Sequence, residues 1–319
     1  MYRTLIVLIL VSFFGFSVFV AGGDKVIFTL NDPRGDDQGD GSLVYPSRSD
    51  LKPGDLDLIT FSARAEDNGT MFEATFAKRI AIPEKRAIDA GGTTLDSIAR
   101  LGFYTFNIDV YIDTDRDSGS GSTSSLPGRM AQIASENAWE RMILVTPRPH
   151  EAVGRMKTLF EASSEAQLSK LKGRIDSDDE IQIKGRVAKD IRDHYFVPTQ
   201  IRVLGSKISF LVPNSFLGGP AQNTWSYVVA VSAANLTERL DLASIGVKRS
   251  TQGDLMIVPV TPGPSSDSFG GAYDKDDLKP PLVDIIVPAG MKQADVLKNY
   301  NANEERFVSL PGVVPAEVK

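Results

Sequence analysis

The sequence predicts a mainly β protein, and three observations carry that expectation. Tyr104, Phe106, Ile108, Val110 and Ile112 alternate without a miss with Thr105, Asn107, Asp109, Tyr111 and Asp113, a period of two that belongs to a half-buried strand. The same alternation returns at Ile208, Phe210 and Val212, and again at Trp225, Tyr227, Val229 and Val231. Residues 56–65 and 71–77 flank Asp67-Asn68-Gly69, a strong signal for a hairpin turn. The 319 residues suffice for one large sandwich or two small domains.

At the N-terminus, Arg3 precedes an uncharged run over 5–20, and Ala21-Gly22-Gly23 follows. A basic residue, a short apolar run and small residues predict a secretory signal peptide over 1–23, with an uncleaved membrane anchor as the alternative. No second long apolar run exists. The expectation is therefore an exported chain (periplasmic, cell-surface or extracellular) with no membrane span once the signal is removed. The chain contains no cysteine, which removes disulfides, thiol catalysis, thiolate zinc sites and covalent haem attachment. A formal net charge of -6 argues against a nucleic-acid partner, whose non-specific binding rests on a basic surface.

Two acidic stretches are the candidates for chemistry. Asp32, Asp36, Asp37 and Asp40 fall within a segment dense in turn formers. It reads either as a solvated loop or as a cation site, because clustered carboxylates repel unless something neutralises them. Asp113, Asp115 and Asp117 stand at alternate positions directly after the strand that ends there. Such spacing turns several hard oxygens toward one point, as Ca²⁺ requires. Ser118 stands where an EF-hand loop needs glycine, so the site is not of that type; this loop is still the best metal candidate, with carboxylates that cap turns as the alternative.

Further along, Val153, Met156, Leu159, Phe160 and Leu171 recur at helical spacing, with Gly173 as a C-cap. Ile181, Ile183 and Val187 then alternate with polar residues, which predicts a strand. Residues 255–260 read as another strand, 261–281 as a long loop, 283–287 as a strand and 293–299 as a short helix.

Several segments together carry a resemblance. DPRGDDQGDGSLVYP (32–46), PGDLDL (53–58), DVYIDTD (109–115), LPGR (126–129) with AWE (138–140), ISFLVPNSFLGGP (208–220), WSYVVAVS (225–232) and PLVDIIVPAGMKQADVLKNYN (281–301) occur in this order. They resemble the C-terminal domain family of glucodextranases, grouped with DOMON-like and carbohydrate-binding-module-family-9-like β-sandwiches. The resemblance implies an antiparallel β-sandwich over 24–319, with 147–195 as a helical insertion. It also implies a non-catalytic module that accompanies glycoside hydrolases and binds an α-glucan-type polysaccharide; the acidic loops add the expectation that Ca²⁺ braces the scaffold. Met130 departs from the pattern, which has Asn after LPGR, and 79–100 and 147–195 are longer than the family's connections.

On this reading the metal ligands are sought among Asp113, Asp115, Asp117, Asp32, Asp36 and Asp37. Carbohydrate contacts are sought at Trp139, Trp225, Tyr45 and Arg129, since aromatic rings stack on the apolar face of a pyranose; core packing is the alternative for both tryptophans. The chain shows no GxSxG, HExxH or phosphate-binding glycine loop, and an acid pair for glycoside hydrolysis cannot be singled out. It is expected not to be an enzyme. The alternatives are an envelope protein in which the sandwich contacts a protein partner, and a haem-binding redox module using His150 and His194.

Overall fold

The structure, a computed structural model, describes residues 26–88, 92–117, 119–236, 255–274 and 277–316. The N-terminal apolar run and the expected cleavage site lie outside the described residues. Among the described residues no helix is long and apolar enough to cross a membrane.

Two five-stranded sheets form a sandwich. One sheet runs β1 (Val26–Asn31), β2 (Leu58–Glu66), β3 (Gly69–Phe76), β9 (Lys207–Pro213), β8 (Ile201–Leu204). The other runs β11 (Asp284–Ile285), β10 (Ser226–Ala233), β4 (Phe106–Asp113), β6 (Arg141–Val145), β7 (Tyr195–Phe196). A small pair, β5 (Ala131–Ile133) and β12 (Val308–Leu310), stands apart. Pairing is antiparallel except at β6–β7 and β5–β12, which are parallel. The Asp67-Asn68 turn closes β2 onto β3 with Glu66 opposite Gly69, as the hairpin signal predicts.

The main core lies between the sheets. Phe61, Phe72 and Phe210, on β2, β3 and β9, stack in a row with ring centroids 5.5 and 5.8 Å apart. They meet Ile108, Val110, Ile143 and Val229 of the facing sheet in one buried cluster. The ring of Phe28 on β1 lies 4.5 Å from that of Tyr227 on β10. Burying such rings is the chief favourable term for the sandwich, because each removes a large apolar area from water.

The alternation in β4 predicts one wet face, but the strand is buried on both. A second cluster covers the outer face: Tyr111, Met142, Leu144 and Val228 pack with Ala152 and Met156 of α2 (Pro149–Lys172), following α1 (Leu95–Ile98) in the chain, and with Ile133 and Val308 of the small pair. The polar residues of that face are therefore buried: Asn107, Asp109 and Asp113. Asn107 Nδ2 donates to the Met256 carbonyl at 2.8 Å, and Asp109 pairs with Arg129 at 2.7 Å.

The insertion is a helical hairpin. α2 ends at Gly173, whose φ of 78° continues the chain out of the helix while its N–H donates to the Ser169 carbonyl. The strand expected around Ile181–Val187 is instead α3 (Ser177–His194). Asp176 caps it by accepting from the Asp178 and Asp179 N–H groups at 3.0 and 2.9 Å, which satisfies donors that a helix start leaves open. Ile183 and Val187 are both buried while Ile181 is 67% exposed; a four-residue interval fits either period, and the cap decides. α4 (Asn214–Leu217) and α5 (Gln293–Leu297) are single turns. Residues 255–260 are not a regular strand: Leu255, Met256, Ile257 and Val258 are buried, but they are joined to the sheets only through isolated bridges such as Ala234 to Ile257.

Candidate functional site

The end of β1 and the short strand β11 are the first strands of their respective sheets, and three carboxylates meet there. Asp32, Asp36 and Asp284 each place an oxygen within 4.8 Å of the others'. Asp284 is fully buried and Asp32 is 9% exposed. Both oxygens of Asp32, Oδ1 of Asp36 and Oδ1 of Asp284 are buried without any hydrogen-bond donor among the described residues. Neighbouring Asp57 adds a further orphaned oxygen, Oδ1, while its Oδ2 accepts from the Gly35 N–H at 2.9 Å.

Buried acceptors without donors are expensive, and buried anions side by side more so. The electrostatics register this strain. Burial pushes the Asp32 carboxyl up to about 7; the bond to Asp284 pulls back part of that rise, and the charges of Asp36 and Asp57 add to it. Asp284 is raised well above the ordinary carboxylate range, first by burial and then by Asp32. Asp36 and Asp57 are raised too, each chiefly by burial. A donor set of carboxylate oxygens alone, facing one point, is the chemistry that a hard divalent cation such as Ca²⁺ satisfies.

The surrounding chain holds this arrangement in place. The Asp284 Oδ2 accepts from the Leu58 N–H at 2.6 Å, tying β11 to β2 of the opposite sheet. Gln293 on α5 is buried and spans the gap: its Oε1 accepts from the Ile285 N–H, and its Nε2 donates to the Asp36 carbonyl, both at 2.6 Å. Gly39 lets the acidic loop approach β11, since a Cβ there would stand 2.8 Å from the Leu282 carbonyl oxygen. Asp37 lies outside the cluster; its Oδ2 accepts from the Gly54 N–H at 2.6 Å and from the Tyr45 hydroxyl at 2.5 Å. Asp40 is paired with the buried Lys279 at 2.9 Å.

A second acidic group forms at the end of β4. Asp113 and Asp115 come together with Glu140, while Asp117 is exposed and outside the group. Here the oxygens have donors. Asp113 Oδ1 accepts from the Arg116 N–H at 2.6 Å, Glu140 Oε2 from the Thr114 N–H at 2.8 Å, and Asp115 from the Ser120 hydroxyl at 3.0 Å. The loop resembles the turn-capping alternative at least as much as a metal loop.

The residues expected to touch sugar are placed differently from that expectation. Trp139 and Trp225 are 4% and 6% exposed, so neither presents a ring face to solvent. Trp139 packs on Tyr111 and Tyr195, and its Nε1 donates to the Ser124 carbonyl at 2.9 Å. Tyr45 is half-buried against Phe269 with its hydroxyl committed to Asp37. Arg129, 1% exposed, pairs with Asp109 and donates to the Leu255 carbonyl. Of the histidines, His194 engages the Glu140 carbonyl through Nδ1 at 2.9 Å, and His150 is exposed in the first turn of α2.

Asp284, Gln293 and Glu140 were not singled out from the sequence. Asp284 carried a signal nonetheless: a lone carboxylate between Leu282-Val283 and Ile285-Ile286 sits where charges are almost never buried without a partner.

Fold and site together define a β-sandwich module with a buried carboxylate cluster bridging its two sheets. The chain belongs to the family of C-terminal binding modules, SLH-like, of glucodextranase, whose model matches residues 27–312, nearly its whole length. That family comprises binding modules, not catalytic domains. No curated protein is significantly similar to the chain.

Proposed function

We propose that this protein is an exported, non-catalytic carbohydrate-binding module for an α-glucan-type polysaccharide, its sandwich braced by a calcium ion between Asp32, Asp36 and Asp284. The observation that carries the carbohydrate reading is membership, over residues 27–312, of a family of binding modules of a glucan-degrading enzyme. The calcium reading is supported by orphaned oxygens on Asp32, Asp36 and Asp284. Its role there is structural: it neutralises charge where two sheets meet. Asp57 would stand in second rank, oriented by Gly35.

Binding of this kind is weak, because each stacked ring adds little and ordering a flexible chain costs entropy. Dissociation constants on the order of 10 μM to 1 mM are expected, about −4 to −7 kcal/mol. A glycan array probed with the mature protein, with and without EDTA, tests the proposal. Neutral glucans bound in calcium and lost or weakened in EDTA support it; an array bare of glucan signals in both conditions defeats it.

A further inference from the structure

We infer that the glycan seat is the groove on the LPGR loop, with Phe307 as its stacking platform; this rests on the carbohydrate reading above. The groove holds about 380 Å³, within the usual range of ligand sites. Thr123, Ser124, Ser125, Gln132, Met130 and Phe307 are among its lining residues, and no charged side chain lines it. Phe307 is 37% exposed, unlike the buried tryptophans. An accessible aromatic face beside uncharged hydroxyl and amide groups suits a neutral pyranose, whose C–H face is apolar and whose rim is hydroxylated. Other grooves differ in character: one carries Arg79 and Arg100, another Arg48, Asp50 and Arg86.

The groove is held rigid from beneath. Tyr111 on β4 accepts the Leu126 N–H at 2.9 Å. Trp139 holds the Ser124 carbonyl at 2.9 Å, and Arg129 fastens the loop to Asp109 of β4 by two bonds of 2.7 and 3.1 Å. Parallel pairing of Ala131–Ile133 with Val308–Leu310 sets Phe307 beside the loop. Within this frame Met130 is kept at φ 48°, a left-handed conformation that costs a non-glycine residue about 1–2 kcal/mol. Strain of this kind persists only where the surroundings over-determine it, and it collects at ligand sites. By contrast the groove's outward groups are open: among the described residues no hydrogen bond engages the side chains of Thr123 or Gln132. A stiff floor with unengaged polar groups lowers the entropic cost of a weak ligand.

The test is affinity electrophoresis of the wild type, Phe307→Ala, Gln132→Ala and, as an exposed aromatic outside the groove's lining, Tyr273→Ala, in gels with pullulan, dextran, starch or polygalacturonate. Melting temperatures check that each variant is folded. Phe307→Ala should weaken binding to the retained neutral glucan by about five- to tenfold and Gln132→Ala by about two- to tenfold, with Tyr273→Ala unchanged. Wild type and both groove variants retarded alike would overturn the groove while leaving the carbohydrate reading intact. Loss confined to Tyr273→Ala, or retardation stronger in polygalacturonate than in neutral gels, would overturn it too. A wild type retarded in no gel would remove the carbohydrate reading and this seat with it.

Discussion

Asp284 and Asp32 come from opposite sheets, one fully buried and the other nearly so, and each places a carboxylate oxygen within 4.8 Å of the other's. Two anions in that position are repulsive unless a proton or a cation stands with them. Asp284 Oδ2 also accepts from the Leu58 N–H of β2, so whatever neutralises the pair acts where the two sheets meet.

Calcium should therefore stabilise the fold through this cluster. At free Ca²⁺ about a hundredfold above its dissociation constant, the gain is about 2.7 kcal/mol. Scanning calorimetry of the protein in calcium and in EDTA should show a lower melting temperature after chelation. Asp284→Asn should remove most of that difference, because the amide supplies no charge to the ion. A wild type whose melting temperature ignores EDTA would show the cluster to be proton-bridged instead.

The other acidic group should respond less. Asp113, Asp115 and Glu140 already accept protein hydrogen bonds from Arg116, Ser120 and Thr114, so an added cation relieves less strain there. Asp115→Ala should alter the calcium-dependent rise in melting temperature by less than Asp284→Asn does. Asp117→Ala should leave it unchanged. A larger effect from Asp115→Ala would transfer the calcium site to that loop.

Chelated protein should lose stability as pH rises. Asp32's carboxyl stands at about 7 in the fold against an ordinary 3.8, so the folded state holds its proton more tightly than the unfolded chain does. The stability this contributes is complete below about pH 4 and is lost as pH climbs through about 7. Urea unfolding in EDTA between those limits should show the decline, and saturating calcium should abolish it. A flat profile in EDTA would mean that the pair is neutralised some other way.

Arg129 should prove a structural anchor. It and Asp109 are each 1% exposed, and truncating one member of a buried pair strands the other charge. Arg129→Ala should cost about 3–5 kcal/mol by urea denaturation. The double replacement Arg129→Met with Asp109→Leu should recover most of that loss, since similarly sized apolar residues remove both charges together. No recovery would locate the cost in the bonds from Arg129 to the loop carbonyls.

Much of the sandwich was legible because strand periodicity and the Asp67-Asn68 turn are local signals. What covers a strand is not local. The second face of β4 looked wet because Asn107, Asp109 and Asp113 are polar, yet α2 and the small sheet pair cover it. Of the candidate cation ligands, the sequence identified Asp32 and Asp36 by their clustering but missed Asp284, which joins them only through the crossing of two sheets. Asp37 had the right neighbours in sequence, but its side chain turns to Tyr45 and Gly54. Trp139 and Trp225 had the right chemistry for sugar, but an aromatic just before a strand is as apt to fill a core as to face solvent.

The most direct test of the central claim is affinity electrophoresis of the wild-type protein in calcium through gels of dextran, pullulan or starch, paired with a reducing-sugar assay on the same polysaccharides. Retarded migration in at least one neutral glucan, with reducing ends at background, is the predicted result. Unretarded migration in every gel, or release of reducing ends by a clean preparation, would contradict it.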